Sequence, residues 1–362
     1  MSPDATRIAR ARDRMRALGV DVLLLSVGPD LPYLTGYAAM PLERLTMFVL
    51  PGEGEPVLLV PRLEAPRVVD RPELFVTQTW DETDDPVARV AALVGAARTV
   101  AVGDQTWARF VLALQRALPD ARFSAASEVL APLRVVKDAA EIEALRRAAH
   151  AVDGIAAEMR GRPFAGRREV DVHRELVERM LEAGHERANF AIVAAGENAA
   201  SPHHEPSTRV IGEGEIVLCD FGGTMDGYCS DITRMFAVGE PPAEVRDAYA
   251  VLVEAQEAAV AAAAVGTPCA EVDAAARRVI TAAGYGERFV HRTGHGIGTE
   301  AHEDPYIVDG NVAPLVPGHA FSIEPGIYVP GRFGLRLEDI VVATDAGPDR
   351  LNRSPRDLAV VG

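Results

Sequence analysis

IVLCDFGGTMDGYCSDITRMF, residues 216–236, decides how the rest of the chain is read. Two alternating apolar runs flank Asp226-Gly227, a dipeptide suited to the tight turn of a β-hairpin. Asp220 and Asp231 stand eleven residues apart, nearly symmetric about that turn. Folded as a hairpin, they face each other directly or diagonally on one side of a sheet. Two carboxylates that close repel, and on a half-buried sheet they need a proton or a cation between them. Cys219 and Cys229 point off that line and read as packing residues.

Downstream, HRTGHGIGTEAHEDP (291–305), SIEPGIY (322–328) and LRLEDIVV (335–342) supply the remaining chemistry. Glu324 and Glu338 adjoin apolar, strand-like runs where a lone glutamate is expensive to bury. His295 lies among Gly294, Gly296 and Gly298, which are expected to let the backbone approach a ligand closely. Two Asp, two Glu and one His form an oxygen-rich set with one nitrogen. That set suits two divalent ions such as Mn²⁺, Co²⁺ or Zn²⁺ better than a thiolate-type zinc site does. A dinuclear centre of this kind meets the needs of amide hydrolysis.

Outward from these motifs the chain divides in two. Before residue 130, helical stretches near 5–18, 86–97 and 106–118 alternate with strands at Val20–Ser26, Leu45–Leu50, Val57–Val60, Phe75–Trp80, Thr99–Val102 and Arg122–Ser124. This is the pattern of a mixed α/β domain, 1–130. A second domain, 131–362, opens on a long helix with Asp138 and Glu141 as its capping box. A helix at about 168–183 and a strand, Phe190–Ala194, follow. The order then repeats, with helices at 242–264 and 270–283 and a strand near Phe289–His291. The shorter helices both begin Glu-Val-Asp, at 169 and 271. The reading is an internally duplicated α/β domain with pseudo-twofold symmetry.

Composition narrows the function. The 362 residues are 48% hydrophobic and 25% charged, enough to bury a sizeable core. No uncharged run exceeds 14 residues, short of the ~18 that span a bilayer. The N-terminus has no apolar signal region, so a cytoplasmic protein without membrane association is expected. The net charge is −16, of which 23 basic and 36 acidic residues after position 130 contribute −13, which disfavours nucleic acid as a partner. Lys137 is the only lysine and precedes Asp138, so there is no phosphate-binding GxxxxGK[ST] loop. Neither a GxGxxG nor a GxSxG motif is present.

DFGGTMDGYCSDITR, HGIGTEAHEDP, EPGIY and RLEDIV resemble, in order and spacing, the ligand motifs of the pita-bread metallopeptidases. That family includes prolidases, Xaa-Pro aminopeptidases, methionine aminopeptidases and the non-metal creatinases. LRVVKDAAEIEALRRA resembles the entry to its catalytic domain. RALGVDVLLLS and PDLPYLTGY resemble the creatinase-like N-terminal domain of the prolidase branch. The resemblance implies that Asp220 chelates one metal, that Asp231 and Glu338 bridge both, and that His295 and Glu324 complete the other shell. Glu324 would also exchange a proton with the attacking water. His302 and His203 match substrate-side histidines, whereas His204 matches nothing. Arg336 would pair with a ligand carboxylate, and His291 would pack or support the site. His150, His173, His185 and His319 read as surface or structural.

The implied activity is hydrolysis of the Xaa-Pro bond of short proline-containing peptides, with a dipeptidase favoured over an Xaa-Pro aminopeptidase. Mn²⁺ is the expected metal and a homodimer the expected assembly. Creatinase-type chemistry is disfavoured because that branch lacks the ligand set, and a non-catalytic binding protein would be expected to have lost it. One departure stands out. Where prolidases of similar length often carry an arginine suited to a peptide carboxylate, four residues after His302, this chain has Tyr306.

Overall fold

The computed structural model describes residues 4–362. The chain divides into two compact units between Arg134 and Val135. The first carries α1 (Ala5–Leu18), β1 (Val22–Leu25), α2 (Asp30–Thr35), β2 (Met47–Pro51), β3 (Val57–Pro61), β4 (Val76–Trp80), α3 (Pro86–Val94), β5 (Thr99–Val102), α4 (Ala108–Ala117), β6 (Arg122–Ala125) and α5 (Ser127–Arg134). Its strands form one mixed sheet in the order β4-β3-β2-β1-β5-β6. One face is covered by Ile8 and Met15 of α1, Leu31 and Leu34 of α2, and Val129 and Leu133 of α5. The other packs on Val90 and Val94 of α3 and Phe110 and Leu114 of α4. Helix α5 belongs to this core, which moves the boundary from the expected residue 130 to Arg134.

The second unit opens with α6 (Ala139–Met159) and α7 (Glu169–Glu182), followed by β7 (Arg187–Ala195), β8 (Ile216–Met225), β9 (Tyr228–Cys229) and β10 (Ile232–Val238). Asp138 and Glu141 form a reciprocal capping box at the start of α6. Next come α8 (Ala243–Ala262), α9 (Cys269–Ala282), β11 (Gly294–Gly296), β12 (Glu303–Ile307), β13 (Ala320–Ile323), β14 (Gly326–Val329), β15 (Phe333–Arg336), β16 (Asp339–Thr344), β17 (Gly347–Arg350) and β18 (Ala359–Val361). Two five-stranded sheets result. One runs β18-β10-β8-β7 with β9 on β8, the other β12-β11-β13-β16-β17. Each half therefore contributes two helices and a sheet, the pita-bread arrangement.

The shared Glu-Val-Asp start conceals a difference between the halves. In α7 the fully buried carboxylate is Glu169, whereas in α9 it is Asp273, two residues further along the shared pattern. The strand expected at Phe289–His291 does not form. Arg277 of α9 donates to the carbonyls of Phe289 and His291, removing acceptors a sheet ladder would need, and strand pairing begins only at Gly294.

Candidate metal centre and catalytic cavity

The hairpin of β8 and β10 turns through Asp226 and Gly227, both at positive φ (52° and 79°), as a two-residue I′ turn requires. Asp220 pairs with Thr233 in the ladder, which leaves Asp231 diagonal to Asp220 on the same face. Val217, Cys219 and Phe221 turn to the α6–α7 side, while Leu218 and Met235 pack on the side of α8 and α9. Asp220 and Asp231 share that second face by strand alternation.

The other sheet brings the remaining groups. His295 sits on β11, and its glycine neighbours serve the sheet rather than a ligand. A Cβ on Gly294 would lie 1.9 Å from the Ser322 carbonyl oxygen, and one on Gly296 would lie 2.1 Å from that of Asp304. Ser322 also fixes the site, its Oγ accepting from the His295 amide (3.0 Å) and donating to Glu324 Oε1 (3.1 Å). Glu338, in the step from β15 to β16, makes an isolated antiparallel bridge with Thr233. Its Oε2 accepts from the Thr233 hydroxyl at 2.7 Å.

His295 Nε2 lies 3.2 Å from Glu324 Oε1 and 3.8 Å from Asp231 Oδ2. Asp231, His295 and Glu338 each offer a ligand atom within 4.8 Å of the others. Burial, then the neighbouring carboxylates, push Asp231 and Glu338 well above the usual carboxylate range. Glu324 moves down to about 2. Burial works against that shift, but the hydrogen bond and charge of His295 prevail. Asp220 Oδ1, Asp231 Oδ1 and Glu338 Oε1 are buried without a hydrogen-bond partner among the described residues. Three orphaned carboxylate oxygens beside one imidazole fit divalent cations, which would both screen the repulsion and satisfy the oxygens.

Arg336 is buried and fully engaged. It donates to Asp220 Oδ2 (2.5 Å), Thr233 Oγ1 (3.3 Å), the Pro202 carbonyl (3.2 Å) and the Tyr328 hydroxyl (2.8 Å). His291 Nδ1 meets the Arg292 carbonyl at 2.7 Å, so that nitrogen donates. Burial lowers the His291 pKa, leaving Nε2 an acceptor for the Tyr328 hydroxyl at 2.8 Å. Arg336 thus donates in two directions, to Asp220 on one side and, through the Tyr328 hydroxyl, to His291 on the other.

His203, Asp220, Asp231, His291, His295, His302, Glu324, Arg336 and Glu338 all line one cavity of about 620 Å³, with Phe190, Ile192 and Pro202 as apolar wall. The His302 ring packs against His295 in a tilted arrangement, with centroids 3.9 Å apart and planes at 46°. Burial, reinforced by the charges of His295 and Arg292, holds the His302 pKa near 4. Tyr306 is the one expected residue that does not line the cavity. It lies on β12 beneath the guanidinium of Arg292, which does line it.

Other histidines have structural partners. His204 meets Glu169 at 3.0 Å, and that carboxylate also accepts from the Ala195 amide, Asn198, and the amide and hydroxyl of Ser207, pinning the loop that carries His203. His185 bridges the Met180 carbonyl and Ser230. Lys137 is buried and paired with Glu303 at 2.6 Å.

With this geometry in view, comparison with known proteins decides the family. Residues 143–345 match metallopeptidase family M24, and residues 7–136 match the creatinase/prolidase N-terminal domain. The chain belongs to metallopeptidase family M24. Among M24 relatives, the probable dipeptidase PepE of Mycobacterium tuberculosis is 45% identical over 99% of this chain and 96% of its own length. The Xaa-Pro dipeptidase of Lactobacillus delbrueckii is 36% identical over 95% of each chain. The crystal structure of a prolidase from Thermococcus sibiricus superposes with a TM-score of 0.92 at 36% identity, covering 100% of both chains. As an M24 metallopeptidase with the N-terminal creatinase domain, the protein is a metal-dependent hydrolase.

Arg292 and Tyr328 are among the site residues that sequence reasoning left unassigned. Both sit inside quoted motifs, but their partners lie on other strands, and no local spacing signals them.

Proposed function

We propose that the protein is a dinuclear-metal exopeptidase that hydrolyses the Xaa-Pro bond of dipeptides. The observation that carries this reading is the convergence of Asp220, Asp231, His295, Glu324 and Glu338 with His203 and His302 on one cavity. Dipeptide substrates are supported by relatives named as dipeptidases and Xaa-Pro dipeptidases. Asp220 would hold one ion, His295 and Glu324 the other, and Asp231 and Glu338 both. When bound, such ions polarise a scissile carbonyl and lower the pKa of water.

The chain's own groups do the rest. Glu324 takes a proton from the attacking water and returns it to the leaving prolyl nitrogen. His302, neutral above a pKa of about 4, donates a hydrogen bond to the oxygen that becomes negative in the tetrahedral intermediate. His203 contacts the substrate from the loop pinned by Glu169. Arg336 restrains Asp220. Mn²⁺ is the metal we favour, with Co²⁺ or Zn²⁺ as substitutes, in a cytoplasmic homodimer.

Hydrolysis of Ala-Pro, Ala-Pro-Ala and N-acetyl-Ala-Pro tests the reading. Ala-Pro is cleaved fastest and the acetylated peptide is inert. Efficient cleavage of the acetylated peptide refutes exopeptidase action, and faster turnover of the tripeptide makes the enzyme an aminopeptidase.

A further inference from the structure

Arg292 lies on the segment leading into His295 and lines the catalytic cavity, half-buried. Its guanidinium carbon stands 4.3 Å from the centroid of the Tyr306 ring. Among the described residues no hydrogen bond or ion pair engages its side chain. Arg336, the other cavity arginine, has its donors committed to Asp220, Thr233, Tyr328 and Pro202. Arg292 is therefore the uncommitted cation of the cavity among the described residues.

An aromatic platform suits such a group. The ring attracts the cation and orients its plane while leaving the N–H fork open for a planar, bidentate acceptor. A dipeptide substrate carries such an acceptor, its α-carboxylate, on the residue just past the scissile bond. Prolidases of similar length often offer an arginine from the position that Tyr306 occupies here. In this chain the cation over that position comes instead from residue 292.

We propose that Arg292, braced on Tyr306, binds the C-terminal carboxylate of the substrate and sets the preference for dipeptides over longer peptides. The assignment rests on the dipeptidase reading above. A third residue would carry the carboxylate ~3.5 Å or more away from the guanidinium. It would also put an uncharged amide in its place.

The test compares kcat/KM for Ala-Pro and Ala-Pro-amide, with bound metal measured in each variant. The wild type favours the free carboxylate. Arg292→Met lowers kcat/KM for Ala-Pro by roughly 10- to 100-fold, mainly by raising KM, the scale of one lost charge-assisted pair. It lowers kcat/KM for Ala-Pro-amide far less and leaves metal content unchanged, so most of the preference is lost. Arg292→Lys, which keeps the charge but loses the fork, falls between. Adding Tyr306→Arg to Arg292→Met restores preference for the free carboxylate. A wild type that cleaves Ala-Pro, with a preference that Arg292→Met leaves intact, overturns the carboxylate assignment alone. A metal-loaded wild type that cleaves neither substrate overturns the dipeptidase reading and this assignment together.

Discussion

Asp231 and Glu338 each bury an oxygen that no donor among the described residues satisfies, and each has its pKa driven up by burial and by the other carboxylates. Removing either should cost bound metal and activity together. Asp231→Ala or Glu338→Ala is expected to lower metal stoichiometry by mass spectrometry or elemental analysis, and a variant that keeps full metal would remove that residue from the ligand set. His203 and His302 stand differently, lining the cavity without being needed to neutralise the carboxylates. His203→Ala and His302→Ala should keep bound metal yet lose roughly 10²-fold or more in turnover. Stoichiometric metal loss in either would make that histidine a ligand. The carboxylates and His295 were legible in sequence because charged groups beside apolar strand runs demand an explanation. Arg292, Tyr328 and Glu169 were not, because each acquires its role from partners that only the tertiary fold brings near.

Glycines at strand crossings, more than propensity, allow the elements of the site to close. Gly294 of β11 passes so near Ser322 that a methyl group would meet a backbone oxygen that no rotamer change can move. Gly294→Ala should destabilise by about 3 kcal/mol or more, the upper range for overpacking. Thermal unfolding checks this, and an unchanged Tm would show that the strands can part at little cost. The hairpin was readable from alternation and Asp226-Gly227 because both are local signals. Helix α2 escaped because six residues containing Pro32 are too short to show a period, and α5 contains Pro132 in its interior. The absent strand at Phe289–His291 has a similar cause, since its carbonyls are claimed by Arg277, fourteen residues before His291.

Across the whole molecule, buried histidines tie stability to acid. Burial lowers the pKa of His319 to about 4, and His185 shifts in the same direction. The unfolded chain would protonate these rings near pH 6.5, whereas the folded protein resists until lower pH. Their contribution is therefore complete above about pH 6.5 and is lost as pH falls toward 4, by up to ~3 kcal/mol for His319. His319→Gln should shrink the fall in urea midpoint between pH 7 and pH 5, and an undiminished fall would mean that other groups carry the acid response. The fold, the acidic catalytic half and the orphaned oxygens all converge on bound divalent metal as the condition for peptide hydrolysis. Hydrolysis of Ala-Pro by the chelator-stripped protein, measured before and after Mn²⁺ is returned, tests this most directly. The metal-free protein should be inactive and should recover with added ion, saturating near two per chain, whereas full activity in a verified metal-free preparation would contradict the account.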